Sequence, residues 1–191
     1  MNFHNASRIA SPLQRGFTMI EVLVSIVVMT FGLLGIAGLQ LTSLQNSRSS
    51  TMRSIAIQQA YDIADRMRAN LAGVAAGNYD MSTPGAGTSK SGCTTTAGCT
   101  PAQMAANDIY EWQQNLNAST NTSGGGLPLG QGIVCIDSSA DTGTPPSTPA
   151  APNCDNLGTL YRIKIWYLDD TASVDSLGNP ILKVIVLDFQ I

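Results

Sequence analysis

An α+β fold is predicted, with one long N-terminal α-helix packed on a C-terminal antiparallel β-sheet. Three observations predict it. Met19 to Leu41 is a run of 23 residues, apolar apart from Glu21 and a few small or uncharged polar residues, and as a helix it is long enough to cross the ~30 Å hydrocarbon core of a bilayer. Beyond that run, apolar residues continue at helical spacing. The second half of the chain then carries three short segments rich in β-branched and aromatic residues, separated by Gly, Pro, Ser and Thr.

The first helix is expected from Phe17 to about Leu71 without a break, since no proline interrupts it. At 1.5 Å per residue such a helix is roughly 80 Å long. Its first half is apolar all round. Its second half is amphipathic, with Leu44, Met52, Ile55, Ala56, Ala60, Ile63, Ala64 and Met67 forming a stripe flanked by Arg48, Arg53, Asp62, Asp65, Arg66 and Arg68. A bilayer-crossing first half and a core-facing second half follow from that change. Gly32, Gly35 and Gly38 lie inside the apolar half. They permit either close helix approach or local bending, or simply reflect the glycine content of membrane helices.

Residues 72–100 are Gly/Ser/Thr/Ala-rich and read as a loop. A short helix follows over TPAQMAANDIYEWQQNL, with Thr100 as N-cap, Pro101 in the first turn, and Met104, Ala105, Ile109, Trp112 and Leu116 facing inward. Residues 117–131 form a second polar loop, in which Asn117 and Asn121 each begin an N-x-Ser pattern that carries no meaning without glycosylation machinery. GIVCID (132–137), LYRIKIWYL (160–168) and ILKVIVLDFQI (181–191) are the expected strands. In the second of these, Tyr161, Ile163, Ile165 and Tyr167 alternate with Arg162, Lys164 and Trp166, the pattern of a half-buried strand.

Composition excludes several functions. The net charge is −3, and residues after Gly16 hold 8 basic against 13 acidic side chains, a net of −5. That is no footprint for direct nucleic-acid binding. The only histidine is His4, so neither a Ser-His-Asp nor a Cys-His arrangement is available, and no P-loop or dinucleotide fingerprint occurs. No enzyme, cofactor or metal is expected. Asp169, Asp170 and Asp175 share a loop but lack EF-hand spacing, so a solvated turn is the plainer reading. Cys93, Cys99, Cys135 and Cys154 all follow the apolar run, and an even count in a polar region points to disulfides in an oxidising compartment. Cys93 and Cys99 are near enough to close a small loop. A Cys135–Cys154 bridge would staple the proline-rich excursion between them, a link typically worth ~2–4 kcal/mol. Four cysteines allow three pairings, and sequence alone does not choose among them.

The remaining puzzle is Glu21. An ionisable group inside a membrane-ready segment costs several kcal/mol and demands a partner. The stretch GFTMIEVLVSIVVMTFGLLGIAGL, preceded by Arg8 and Arg15 without any acid, resembles the N-terminus of type IV pilins. TSLQNSRSSTMRSIAIQQAYDIADRMRAN, TPAQMAANDIYEWQQNL and GIVCID further resemble minor pilins of the PilV type, the type IV pilus modification proteins. The resemblance implies the type IV pilin fold and three regions: a leader over 1–16, a transmembrane and assembly half-helix over 17–41, and a periplasmic globular domain over 42–191. It implies that a prepilin peptidase cuts between Gly16 and Phe17 and N-methylates Phe17. It also implies that Glu21 pairs with the charged N-terminus of a neighbouring subunit. Gly38 stands where major pilins usually have a helix-kinking proline, which leaves the bend of this helix unassigned.

The implied role is a structural subunit that starts pilus assembly with other minor pilins and the major pilin, supporting twitching motility, adhesion or DNA uptake. The implied partners also include the inner-membrane assembly platform, and the lipid bilayer before assembly. The implied location is the bacterial inner membrane, single-pass, with the C-terminal domain in the periplasm; the excess of arginine in the leader keeps that end cytoplasmic. Two alternatives share parts of this reasoning: a minor pseudopilin of a type II secretion system, and a membrane-anchored periplasmic adhesin or binding domain that never assembles.

Overall fold

The computed structural model describes residues 16–85, 87–96, 98–117, 126–138, 148–169, 174–176 and 178–190. The chain divides into two units, one up to Leu44 and one from Gln45 onward. Helix α1, Met19–Ala69, contributes to both. Within the second unit α1 buries Ala56, Ala60, Ile63, Ala64 and Met67, and half-buries Met52 and Ile55. Three alanines at i, i+4 and i+8 make that face thin, so neighbouring elements pack close to the helix backbone. The expected stripe member Leu44 is instead 62% exposed and falls in the first unit.

The helix does not run on to Leu71 as expected. Asn70 breaks it, with φ −124° and ψ 58°. Its side-chain oxygen accepts the Gly73 N–H at 3.1 Å, which starts a second short helix, α2, Leu71–Ala75. Its side-chain amide donates to Tyr79 Oη at 3.2 Å and to the Pro101 carbonyl at 2.8 Å. An asparagine at the junction satisfies orphan backbone groups that a continuous apolar stripe cannot. The region expected as loop after residue 71 therefore begins with α2, and also contains a 3₁₀ turn at Ser91–Thr94.

Helix α3, Pro101–Leu116, starts at a capping box: Thr100 Oγ1 accepts the Gln103 N–H at 3.3 Å, and Gln103 Oε1 accepts the Thr100 N–H at 3.0 Å. Ala105, Ile109, Trp112 and Leu116 are buried, whereas Met104 is 38% exposed. Trp112 donates its indole N–H to the Gln59 carbonyl at 2.8 Å, tying α3 to α1.

Strands β1 (Gln131–Ile136), β2 (Tyr161–Tyr167) and β3 (Lys183–Phe189) form an antiparallel sheet in the order β1-β2-β3. The register sets Cys135 opposite Arg162 and Ile165 opposite Ile185. Gly132, Tyr161 and Phe189 face the helices: a Cβ at Gly132 would lie 2.5 Å from Trp112 Cη2, Tyr161 donates its hydroxyl to the Val74 carbonyl at 3.0 Å, and the Arg68 guanidinium sits 5.0 Å from the Phe189 ring centre. Strand β2 departs from the half-buried pattern read from its sequence. All seven of its residues are buried, Arg162 and Lys164 included. It is the central strand, and residues around Pro152–Cys154 close over its second face at Lys164.

Charged residues on α1 and α3 join in one cluster. Arg66 meets Asp62 at 3.1 Å, Glu111 at 2.9 Å and Asp108 at 3.4 Å, and Tyr79 donates to Asp108 at 2.5 Å. Arg68 pairs with Asp65 at 2.5 Å. Two of the three partners of Arg66 among the described residues, Asp108 and Glu111, come from α3. Burial acts to lower the Arg66 pKa, yet the Glu111 hydrogen bond and the charges of Asp62, Asp108 and Glu111 outweigh it and raise the value. Burial, helped by the hydrogen bond to Asp108, pushes the Tyr79 phenol well up. The Arg66 hydrogen bond holds the Glu111 carboxyl below its usual range.

Gly132→Ala should lower stability by about 1–3 kcal/mol, because the added methyl has no space beside Trp112 and Leu116; thermal unfolding of the full chain in detergent measures it. The depressed Glu111 pKa sets a sign for pH dependence. Its contribution is complete above the ordinary glutamate value and is lost as pH falls through the lower folded-state value. Glu111→Gln should therefore unfold at a lower temperature than wild type at neutral pH, with the two melting curves converging in acid.

Candidate assembly segment

The first unit carries the residues with functional expectations. Thr18 begins its helix: Thr18 Oγ1 accepts the Glu21 N–H at 3.4 Å, and the Thr18 carbonyl accepts the N–H groups of Glu21 at 3.0 Å and Val22 at 3.3 Å. Thr-x-x-Glu is the capping-box spacing, and an acid in the first turn faces the positive end of the helix dipole. The T-x-x-E spacing of Thr18 and Glu21 is the sequence signal for this helix start.

Every described side chain from Phe17 to Leu44 is exposed, among them Phe17 at 84% and Met19 at 95%. Three hydroxyls return their hydrogen bonds to their own helix: Ser25 to the Glu21 carbonyl at 2.7 Å, Thr30 to the Val27 carbonyl at 2.7 Å, and Thr42 to the Gly38 carbonyl at 3.2 Å. Such hydroxyls enter an apolar medium at little cost, since their donors are already satisfied. The Glu21 carboxylate is different. It meets no hydrogen-bond or ion-pair partner among the described residues, and it sits in a shallow groove with Phe17, Val22, Ser25, Ile26 and Met29.

Gly16 lies just before the helix and is exposed. A methyl at Gly32, Gly35 or Gly38 would meet open space, so nothing among the described residues requires glycine there. The helix is continuous through all three. In the second unit Cys93 is bonded to Cys99, with Cα atoms 4.9 Å apart, and Cys135 to Cys154, at 6.2 Å. Asp169 accepts from Ser49 at 2.8 Å and pairs with Lys183, and Asp175 accepts from Asn179. Asp170 and Asn121 lie outside the described residues, among which no acid, histidine or cysteine cluster suits a metal.

One described helix, α1, is long and apolar enough to cross a membrane. That helix and the helix-on-sheet domain fit a membrane-anchored, pilin-type structural subunit. Residues 12–37 match the family described as prokaryotic N-terminal methylation motif, and residues 38–110 match the one described as type IV pilin Tt1218. No curated protein and no solved structure matches the chain. Together the two matches run from residue 12 to residue 110 and support a type IV pilin family.

Because Glu21 has no partner to lose within the described chain, Glu21→Ala should change folding stability by less than ~1 kcal/mol, the scale of a helix-dipole contact. Calorimetry of the full chain in detergent checks this, and a larger loss would show that the carboxylate serves the subunit's own fold.

Proposed function

We propose that the protein is a minor pilin of the PilV type, a non-catalytic subunit that helps initiate a type IV pilus with other minor pilins and the major pilin. The observation that carries this reading is a single carboxylate, Glu21, on an otherwise uncharged and wholly exposed half-helix. In this reading residues 1–16 are a leader that prepilin peptidase removes between Gly16 and Phe17, and Phe17 becomes the N-methylated, positively charged terminus. Residues 17–41 anchor the subunit in the inner membrane and later enter the filament. Residues 42–191 form the globular domain on the periplasmic side.

The chemistry is charge neutralisation. A carboxylate moved into lipid or a helical bundle without a counter-charge costs several kcal/mol. The N-terminal ammonium of a neighbouring subunit offsets that cost. Losing one member of a buried ion pair typically costs ~3–5 kcal/mol, enough to exclude a subunit from the assembly.

Glu21→Ala should be processed and retained in the membrane, yet be absent from sheared pili by immunoblot; wild-type amounts in the pilus fraction would overturn the pairing role. Gly16→Val should keep the mass of the unprocessed chain. Affinity capture of the wild type, with Glu21→Ala as control, should recover other minor pilins only from the wild type. Recovery of secretion-system components in their place would assign the subunit to that machinery.

A further inference from the structure

Lys164 is the least expected residue in the core. Its side chain is fully buried on the central strand β2. Among the described residues the ammonium donates to Asp137 Oδ2 at 2.8 Å, the Pro152 carbonyl at 2.8 Å and the Asn153 carbonyl at 3.3 Å. Those partners span the ends of one excursion of the chain. Asp137 lies two residues after Cys135, and Pro152 and Asn153 immediately precede Cys154. Asn153 has φ +57°, a left-handed turn that asparagine tolerates, and two consecutive carbonyls on either side of it converge on the one ammonium. Lys164 and the Arg162 that faces Cys135 are on the same side of β2 as Cys135. The ammonium thus gathers both approaches to the Cys135–Cys154 bond.

We propose that Lys164 is the residue that selects the Cys135–Cys154 pairing. If the excursion is displaced, the buried ammonium keeps Asp137 but loses the Pro152 and Asn153 carbonyls, a costly loss in the interior. Folding around Lys164 therefore holds the Cys154 thiol beside Cys135 and away from Cys93 and Cys99. The oxidation itself is ordinary exchange: two thiols reduce one disulfide of an external oxidant such as glutathione disulfide, each thiol releasing its proton, and two glutathione thiols leave. Lys164 takes no part in the electron transfer. It raises the effective concentration of one thiol at the other, which favours one of the three pairings. Two further ties, the Asn156 N–H to the Ile136 carbonyl at 3.1 Å and Ser138 to Asp155, lie at exposed positions and add less selectivity.

The test uses the full chain in detergent, equilibrated in glutathione redox buffers, with each cysteine pair read by differential alkylation and mass spectrometry. Lys164→Met should lower the equilibrium constant for Cys135–Cys154 at least ten-fold, a shift of about 30 mV, and leave Cys93–Cys99 in the same molecule unchanged. Oxidative refolding should also yield crossed pairs with Cys93 or Cys99. Because Lys164→Met removes the nearer of two cations at Asp137, Arg162 lying 3.8 Å away, the double variant Lys164→Met/Asp137→Asn, which removes both members of the Lys164–Asp137 pair, is measured beside it. A folded double variant with unchanged Cys135–Cys154 equilibrium and pairing would overturn the proposal. So would an equal loss at both disulfides, the signature of general destabilisation.

Discussion

A single helix has to serve two media, and the rest of the molecule is arranged around that constraint. Up to Leu44 every described side chain of α1 is exposed and nearly all are apolar. From Ala56 onward only one stripe is buried, and it is built from small residues. The first pattern suits surroundings that are apolar on all sides; the second suits a helix with water on one side and a core on the other. The small stripe matters because it brings the α1 backbone within reach of α3. That closeness lets the Trp112 indole find the Gln59 carbonyl, and lets the Trp112 ring lie over Gly132 of β1.

Polar groups do the positioning within this frame. Asn70 ends one helix, caps the next, and reaches the start of α3 through the Pro101 carbonyl. Arg66 links α1 to Asp108 and Glu111 on α3 at the partly exposed edge of the same contact. On the other face of the sheet Lys164 binds Asp137 and the Pro152 and Asn153 carbonyls. Each of these groups is satisfied by backbone carbonyls or opposite charges. A buried polar residue of this kind adds directional specificity that apolar burial, which has no preferred orientation, does not supply.

Much of the architecture was legible because it rests on periodicity. The apolar run, the alanine-rich stripe, the Thr100–Pro101 helix start and the three strands are local patterns, and the structure places each within a few residues of its expected position. The acid at Glu21 was equally legible, since one charge in an apolar run stands out by composition. No group among the described residues meets its carboxylate, so the described chain gives it no partner. The strand β2 misled for a related reason. Alternating Arg162, Lys164 and Trp166 with apolar neighbours reads as one wet face, and only a segment distant in sequence converts that face into interior.

The sequence by itself determined the helix, its change of character, the lone carboxylate and the strands, because each depends on neighbours within a few residues. Tertiary structure decided the break at Asn70, the burial of Lys164 and which cysteines meet. Those outcomes depend on carbonyls and side chains brought together from remote positions, where hydrogen-bond geometry and loss of water set the energy. No spacing along the chain encodes such an encounter.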